Sequence, residues 1–546
     1  MTYKCGFEKH QQKAYDEMIR EMKGIDDRNS WIPVLQRNLT EKQKGKIIQA
    51  IALIAEKYKM NDQQLELVLK GRLCADGRRE DISMFLEGDL AAPTVQILAL
   101  FSMLSVAAAK NSHIMTFDIG QAFLNADIEN EVYVRLDQRL AEMLIMIKPD
   151  YKKFQNKNGT LVLKLLKALY GTKEAAKLWY NHFKGILESY GYIKSELDKC
   201  VFHKTNDDGT LASILIHVDD GIVLADNMKD LDLLLQNLNR SFEGKFTHTI
   251  GKVHKYLAMR ITQYDGYVII DMTNYIDDIC SEYEVLGMRK VPADTDLFSI
   301  DTSLPLLHEV IRKRFHSGVH KILFLATRVR PDVLCSTIFL TRRVKAPTSQ
   351  DWNKFINVLK YLNYSRLYGL CLGGDENGVI HLEAYADAAH AVNANMTSQT
   401  GLFATLGRGS AYAKSTAQGS VARSSMEAEC YSLSDMIPIT VWIQDFMTEA
   451  GYAKHVNPGT LHEDNMSLIH AIRKGDISSD RTRHIRIRKL FTKEFVESGK
   501  FKLEHCPTED MIADILTKPL QGALFERQRD LILGYTTRVK KTEAEA

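Results

Sequence analysis

The chain has 546 residues, several times the length of a typical domain; 45% of them are hydrophobic and 26% are charged. This balance is typical of a globular enzyme with a sizeable core and excludes a disordered or fibrous chain. The formal net charge of +2 is too small to indicate nucleic-acid binding, which only local basic clusters could support. The eight cysteines form no C-x-x-C pair and no zinc-type spacing, so the sequence favours neither a zinc knuckle nor a disulfide framework.

No charged start followed by an apolar run marks the N-terminus as a signal peptide. Nor does any segment have the roughly 20 uninterrupted apolar residues that a membrane-spanning helix needs. The sequence therefore predicts an intracellular protein without a signal peptide and without a membrane partner.

The first half of the chain has two parts. Residues 1–65 have helical patterning with long charged runs, carry no recognisable motif, and are predicted to form a helical extension. Residues 66–250 alternate short apolar β-like runs with helices. Within them, residues 211–224 predict a β-hairpin, because two apolar arms flank the turn-forming tripeptide Asp219–Asp220–Gly221.

The second half changes pattern at the paired glycines 373–374. Residues 251–375 are mostly helical from 311 onward. Residues 376–530 begin with three strand-like runs and then alternate helices with strands, which predicts a compact domain with a mixed sheet. Residues 531–546 end in a polar segment that is predicted to be frayed.

A first group of acids is predicted at strand ends. Asp118 closes the short apolar strand 114–117, and Asp219 and Asp220 lie at the tip of the predicted hairpin. Two or three aspartates from neighbouring strands suffice to hold the two Mg²⁺ ions, about 3.5–4 Å apart, that transfer a nucleotide to a 3′-hydroxyl. By spacing alone, ordinary turn or helix-surface residues are the favoured interpretation, since Asp–Asp pairs also occur at 26–27, 207–208 and 277–278.

A second group of acids lies in residues 376–530. Asp387 ends the first predicted strand, Asp464 follows a later strand, Asp514 lies near the last helix, and Glu427 lies in the first turn of a helix that Ser424 is placed to cap. Acids at strand ends and in a first helical turn can converge on one edge of a mixed sheet. Hydrolysis of the RNA strand in a hybrid uses the same two-metal chemistry with water as nucleophile. Taken singly, each acid is better explained as an N-cap or a surface residue.

Several long strings carry a family resemblance. FDIGQAFLNADIENEVYV (117–134), LKALYGTKEAAKLWY (166–180) and ILIHVDDGIVLAD (214–226) resemble, in order and spacing, the polymerase motifs of Ty1/copia-type retrotransposon reverse transcriptases. KGRLCADGRRE (70–80) resembles their fingers segment, and FLATRVRPDVL (324–334) resembles their connecting region. The resemblance implies an α/β and α+β multidomain protein that contains a right-hand polymerase with fingers, palm and thumb.

The C-terminal strings resemble the RNase H domain of the same family. They are YADAAHA (385–391), SSMEAECYSL (424–433), EDNMSLIHAI (463–472), RTRHIRIRKLFTKE (481–494) and EDMIADILTKPL (509–520). The resemblance implies an RNase H-like mixed-sheet domain behind the polymerase. The implied domains are an N-terminal extension, fingers and palm, thumb and connection, the RNase H-like domain and a tail, at 1–65, 66–250, 251–375, 376–530 and 531–546.

The resemblance also implies roles for single residues. In the polymerase, Asp118, Asp219 and Asp220 would be the catalytic metal ligands. Lys70 and Arg72 would contact the triphosphate, and Phe123 would be the ring that selects deoxynucleotides. Without the resemblance, an ordinary core phenylalanine is the favoured interpretation of Phe123. In the RNase H domain the implied ligands are Asp387, Glu427, Asp464 and Asp514, with Glu427 preferred to Glu429 because it follows Ser424–Ser425–Met426.

The implied function is that of an RNA-directed DNA polymerase with a C-terminal ribonuclease H, each site using two Mg²⁺ ions or Mn²⁺. The implied partners are an RNA template, a DNA primer, RNA–DNA hybrid and dNTPs, in a cytoplasmic particle or the nucleus. Three departures from the family pattern favour an alternative, a catalytically impaired or domesticated copy that acts as a nucleic-acid-binding or particle-assembly protein. They are His217, Glu174, which is expected to place a negative charge near the incoming nucleotide, and Arg486.

Overall fold

The structure is a computed structural model that describes residues 1–61, 64–81, 83, 91–474 and 485–535. The chain divides into two compact units. The first comprises Met1–Thr94, Asp118–Tyr192 and Leu238–Thr247, and the second comprises Val95–Phe117, Ile193–Asn237 and His248–Ala546.

The helices, in chain order, are α1 (Tyr3–Asp26), α2 (Glu41–Lys44), α3 (Ile97–Ala109), α4 (Gln138–Ile147), α5 (Ala175–Ser189), α6 (Met228–Phe242), α7 (Thr273–Glu282), α8 (Glu309–Ala326), α9 (Leu334–Thr341), α10 (Ser349–Tyr364), α11 (Ser425–Glu449), α12 (Ala453–Val456), α13 (Met466–Lys474), α14 (Arg486–Glu497) and α15 (Gly522–Leu533). The strands are β1 (Trp31–Val34), β2 (Ile47–Asn61), β3 (Gln64–Ala75), β4 (His113–Ile119), β5 (Tyr133–Leu136), β6 (Leu161–Leu165), β7 (Ile193–Lys194), β8 (Val201–Thr205), β9 (Leu211–His217), β10 (Asp220–Ala225), β11 (Phe246–Ile250), β12 (Val253–Tyr256), β13 (Met259–Tyr264), β14 (Tyr267–Asp271), β15 (Leu370–Gly373), β16 (Glu383–Ala389), β17 (Gln399–Thr405), β18 (Tyr412–Ala417), β19 (Gly459–Glu463) and β20 (Phe501–His505).

The first unit is built around a sheet with the strand order β1-β6-β5-β2-β3. Its core joins α1 to the sheet through buried side chains such as Met18, Met22 and Leu73. Helix α1 approaches β3 so closely that a Cβ on Gly71 would lie 2.8 Å from the backbone oxygen of Glu17. The N-terminal helix is therefore an integral layer of this unit.

The prediction of a helical extension over 1–65 is wrong for β1 and β2. The segment that begins β2, IIQAIALI, is rich in β-branched isoleucine, and it pairs along its length with β3 in an antiparallel hairpin. The predicted boundary at residue 65 falls within β3, inside the first compact unit, and so does not separate two domains. The charged runs that suggested helix belong to α1 and α2.

The second unit contains three sheets. One includes the second-unit parts of β11 and β4, followed by β10, β9, β8 and β7 in that order. Another has the order β12-β13-β14-β15, and helices α7 to α10 lie between β14 and β15 in the sequence. The prediction that residues 311–370 are mostly helical is confirmed by α8, α9 and α10. No helix among the described residues has both the length and the apolar character needed to cross a membrane.

The last sheet has the order β18-β17-β16-β19-β20. Strands β16, β17 and β18 pair antiparallel, whereas β16 pairs parallel with β19, and β19 pairs parallel with β20. Helix α11 packs on β16 and β17. The predicted mixed sheet is confirmed, and each of its five predicted strands has a counterpart.

Candidate active sites

The register of the last sheet places two predicted acids side by side. Tyr385 of β16 pairs with His462 of the parallel strand β19. Two residues further along each chain lie Asp387 and Asp464, so both carboxylates emerge at the same level of neighbouring strands. Parallel pairing between distant segments thus converts a 77-residue separation (464 − 387) into direct adjacency.

Helix α11 adds a third carboxylate, that of Glu429. One carboxylate oxygen from each of Asp387, Glu429 and Asp464 lies within 4.8 Å of the others. Asp387 is only 1% exposed and Glu429 only 5% exposed, so the cluster is largely withdrawn from water. We call these three residues the carboxylate trio.

Glu427, the acid preferred from the sequence, is engaged elsewhere. Ser424 caps α11 by accepting a hydrogen bond from the Glu427 backbone N–H at 3.3 Å. The Glu427 carboxylate accepts hydrogen bonds from the Arg423 backbone N–H at 2.9 Å and from the Tyr431 hydroxyl at 2.8 Å. The structure therefore brings Glu429, not Glu427, to Asp387.

A sequence signal for Glu429 existed. Two positions along a helix correspond to a rotation of about 200°, so Glu427 and Glu429 cannot both face the sheet. Glu429 precedes Leu433 and Met436 by four and seven residues, and all three are buried. Position after the cap was therefore a poorer guide than the register of the buried face.

Asp514 reaches Asp387 through Lys518. The Lys518 Nζ lies 2.6 Å from Asp514 Oδ1 and 3.4 Å from Asp387 Oδ1. The Thr517 hydroxyl donates a hydrogen bond to Asp387 Oδ2. The structure thus brings Asp387, Asp464 and Asp514 into one neighbourhood, and it adds Thr517 and Lys518, which the sequence interpretation did not single out.

The crowding of these acids changes their proton affinities. Burial, followed by the charge of Asp387, raises the pKa of Asp514 to about 7. Burial also raises the pKa of Glu429 well above its ordinary value, and the charges of Asp387, Glu463 and Asp464 add to that shift. A nearby cation would stabilise the ionised form of these carboxylates.

One oxygen of the trio also lacks a polar partner. Within the described ranges, Oε2 of Glu429 is buried and accepts no hydrogen bond. An unsatisfied buried oxygen beside two further carboxylates fits a divalent cation with oxygen ligands, such as Mg²⁺ or Mn²⁺. The residues present therefore suit a divalent metal ion.

The predicted Asp219–Asp220 hairpin is confirmed. His217 of β9 pairs with Asp220 of β10, which leaves Val218 and Asp219 as the two turn residues. The turn therefore lies one residue earlier than the tripeptide 219–221. Val218 has a φ of 60°, an unfavourable conformation for a β-branched side chain.

Gly221 follows the pair and lies directly against Phe117 of β4. A Cβ at position 221 would lie 2.2 Å from Cζ of the Phe117 ring, so no larger residue fits without displacing that ring. Asp118, the next residue of β4, is exposed and belongs to the first unit. The joining of Asp118, Asp219 and Asp220 in one metal site stays a prediction.

Comparison with known proteins agrees with these features. Residues 46–294 match the family described as "Reverse transcriptase (RNA-dependent DNA polymerase)". The chain is 24% identical over 537 residues to the "Retrovirus-related Pol polyprotein from transposon TNT 1-94" of Nicotiana tabacum, a match that covers 94% of this chain and 39% of that protein. It is 25% identical to the Pol polyprotein from transposon RE1 of Arabidopsis thaliana, covering 84% of this chain and 30% of that one. Residues 46–294 are therefore similar to the reverse transcriptase family, and most of the chain is similar to retrotransposon Pol polyproteins.

The chain spans less than two fifths of the length of those two relatives. A solved structure of a foamy viral protease-reverse transcriptase in complex with double-stranded DNA is also similar, with a TM-score of 0.46 and 11% identity. That similarity covers 80% of this chain and 63% of the foamy viral chain.

The predicted nucleotide contacts of the chain lie in its first unit. Lys70 and Arg72 are exposed on the same face of β3, because Leu69, Gly71 and Leu73 alternate with them and point inward. The Arg72 guanidinium carbon lies 5.9 Å from the centre of the Tyr170 ring.

Phe123 lies next to the same tyrosine. The Phe123 and Tyr170 rings meet edge to face with their centres 4.7 Å apart. Phe123 is half-buried and packs against a small apolar cluster that includes Ala175. Arg72, Tyr170 and Phe123 thus form a continuous row, although the roles of Lys70, Arg72 and Phe123 in nucleotide binding stay predictions.

Glu174 does not present a free charge. It is only 4% exposed, and its carboxylate accepts hydrogen bonds from the backbone N–H and the side-chain Nδ2 of Asn130, at 3.1 and 2.6 Å. The carboxylate is therefore held by Asn130, and a negative charge of Glu174 near the incoming nucleotide stays a prediction. The sequence did not indicate the contact with Asn130 because the two residues lie 44 positions apart.

The other two departures have different surroundings. His217 is half-buried, and burial, partly offset by the charge of Asp219, lowers its pKa, so the imidazole is neutral at pH 7. Arg486 is the first residue of α14 and is exposed. Residues 481–484 of the string RTRHIRIRKLFTKE (481–494) lie outside the described residues. Arg488 of the same string forms an ion pair with Asp435 at 2.6 Å.

Proposed function

We propose that this protein is an RNA-directed DNA polymerase that also hydrolyses the RNA strand of RNA–DNA hybrids. The observation that carries the proposal is the carboxylate trio, with Asp514 beside it, in a mixed-sheet domain that follows a reverse transcriptase segment in the same chain. The substrates would be an RNA template, a DNA primer, dNTPs and the hybrid product. Two separate carboxylate groups fit two separate phosphodiester reactions.

In the polymerase, Asp118, Asp219 and Asp220 would hold the Mg²⁺ ions. Bound there, the ions would activate the primer 3′-hydroxyl and neutralise the leaving pyrophosphate. The packing of Gly221 on Phe117 supports a fixed hairpin, since the ring leaves no room for a side chain. Lys70 and Arg72 would contact the triphosphate with their exposed charges, and Phe123 would exclude a ribose 2′-hydroxyl.

In the ribonuclease, Asp387, Glu429, Asp464 and Asp514 would hold Mg²⁺ or Mn²⁺. The bound metal would supply an activated water and neutralise charge on the scissile phosphate. Thr517 keeps one oxygen of Asp387 oriented by donating a hydrogen bond to it. Burial keeps the carboxylates away from water, which strengthens their attraction for a cation.

The alternative is a copy without catalysis that binds nucleic acid or assembles a particle. Arg486 at an exposed position and the neutral His217 at the end of β9 favour it, whereas the burial of Glu174 against Asn130 weakens the argument from that residue. The assignment to a longer polyprotein, and to a cytoplasmic particle or the nucleus, is likewise proposed from the relatives.

Primer extension separates the two functions. The purified chain is given a homopolymer RNA template, a DNA primer and Mg²⁺, with dNTPs and rNTPs in parallel reactions. The polymerase proposal expects extension with dNTPs, with rNTPs disfavoured by Phe123. Tight template binding without any incorporation would support the alternative and contradict the proposal.

A further inference from the structure

The acids of the C-terminal site fall into two sets that share Asp387. The first set is the carboxylate trio, in which Glu429 and Asp464 have no ion pair with Lys518 and only Asp387 has one. The second set, Asp387 and Asp514, is bridged by the ammonium group of Lys518 at 3.4 and 2.6 Å. A positive charge of the protein itself thus occupies one half of the site.

The Lys518 side chain reaches the two carboxylates from a partly exposed position. Lys518 follows Asp514 by four residues and begins the exit from the short 3-10 segment Ile512–Leu516. Its side chain is 37% exposed, whereas those of Asp387 and Asp514 are 1% and 8% exposed. The ammonium therefore has a route to water along a flexible four-carbon stem, while the two carboxylates have none.

We propose that Lys518 is a tethered cation that stands in the place of the second divalent ion and must leave before that ion binds. The inference rests on the proposed ribonuclease function and concerns the order in which its ions bind. The first ion enters the carboxylate trio, where Lys518 forms an ion pair with only one of the three carboxylates, that of Asp387 at 3.4 Å. The second ion competes with Lys518 for Asp387 and Asp514, so it binds more weakly.

Electrostatics gives the direction of the effect. A neighbouring positive charge at hydrogen-bonding distance shifts the affinity of a carboxylate for a proton by a factor of about ten or more, and it opposes a metal ion in the same way. Without Lys518, Asp387 and Asp514 would be two buried, uncompensated charges. They would then attract a divalent ion more strongly.

Calorimetric titration with Mn²⁺ alone tests this without any activity measurement. All proteins carry Asp219→Asn and Asp220→Asn, so that ions at the polymerase site do not contribute, and an added Asp387→Asn serves as the blank. We expect Lys518→Met to lower the Kd of the second ion by about tenfold. Lys518→Arg keeps the charge and should leave that Kd within about twofold of the parent.

Matched variants complete the experiment. Lys502→Met removes an exposed lysine of β20 and should leave both binding steps unchanged. Lys518→Gln is a second neutral variant that still donates hydrogen bonds to the carboxylates, for use if the methionine variant does not fold. Unchanged or weaker binding of the second ion in the neutral variants would overturn the inference. Absence of any binding above the blank in the parent would overturn the proposed ribonuclease as well.

Discussion

The C-terminal carboxylates and the hairpin carboxylates have different surroundings. Asp387 and Glu429 are almost fully buried, whereas Asp219 and Asp220 are only half-buried. The buried acids lose hydration and repel one another, so their domain gains stability when a cation or a proton arrives. The hairpin acids keep much of their hydration, so metal binding there adds less to the stability of the fold. The difference predicts that metal removal affects the two regions unequally.

The largest expected effect comes from replacing each of the two glutamates of α11 by glutamine in turn. Glu429→Gln should reduce hybrid cleavage by at least about a hundredfold, because it removes a charged oxygen from the carboxylate trio. Glu427→Gln should cost less than about tenfold, since its carboxylate only holds the Arg423 N–H and Tyr431 at the helix start. A gel assay on a labelled hybrid measures both, and equal losses would contradict the placement of Glu429.

A second prediction concerns the hairpin alone. Gly221→Ala should reduce primer extension by about tenfold or more and destabilise the second unit by about 1–3 kcal/mol, because its Cβ collides with Phe117. Gly185→Ala in α5 is the control, since nothing lies within 4 Å of its added Cβ. Thermal unfolding and extension kinetics are measured together. Wild-type extension by the Gly221 variant would show that the hairpin need not be held by that ring.

The pH dependence of stability sharpens the comparison further. The pKa of Asp514 is raised to about 7 in the folded chain, so the folded state keeps a proton that the unfolded state has released. Metal-free stability from this group is therefore full below about pH 4 and is lost as the pH rises through about 7. Mg²⁺ should raise the melting temperature more at pH 8 than at pH 5.

Asp514→Asn is the matched variant for that measurement. It should lose most of the pH-dependent difference in the Mg²⁺ effect, because the asparagine cannot ionise. An Asp207→Asn variant, in the exposed turn between β8 and β9, should keep it. A wild-type melting temperature that responds to Mg²⁺ equally at both pH values would contradict the buried-acid account.

The smallest expected effect is at Glu174. Glu174→Gln should leave the KM for dNTPs within about twofold of wild type, because the carboxylate is buried against Asn130 rather than directed at the nucleotide. The loss of one accepted hydrogen bond should cost about 1 kcal/mol of stability. Arg72→Ala, at an exposed position, is the contrasting variant and should raise that KM. Steady-state extension kinetics distinguish the two, and a large KM change in the Glu174 variant would restore the charge-repulsion interpretation.

Much of the fold was predictable from local patterns. The mixed sheet followed from strand-like runs bounded by turn residues, and the hairpin followed from two apolar arms around Asp219 and Asp220. Strand β2 was missed because charged segments on either side of it suggested a helix. Its pairing with β3 and β5 is tertiary information that a local pattern does not contain.

The site was predictable only in part for a similar reason. Asp387 lies within β16 and Asp464 directly follows β19, and because these strands are parallel neighbours, strand order brings the two acids together. The choice between Glu427 and Glu429 depended on the rotation of α11 about its axis, which the cap at Ser424 does not determine. Lys518 was overlooked because its importance lies in two contacts that appear only when the segment after β20 folds back to β16.

The central claim is that two carboxylate sites each bind divalent ions. Its most direct test is a crystal structure of the full chain with Mn²⁺ and an RNA–DNA hybrid. Anomalous scattering locates the ions independently of any activity. The account predicts peaks among Asp387, Glu429, Asp464 and Asp514, and separate peaks where Asp118 meets Asp219 and Asp220. Asp118 lying out of reach of the hairpin, or no peak at the carboxylate trio, would contradict it.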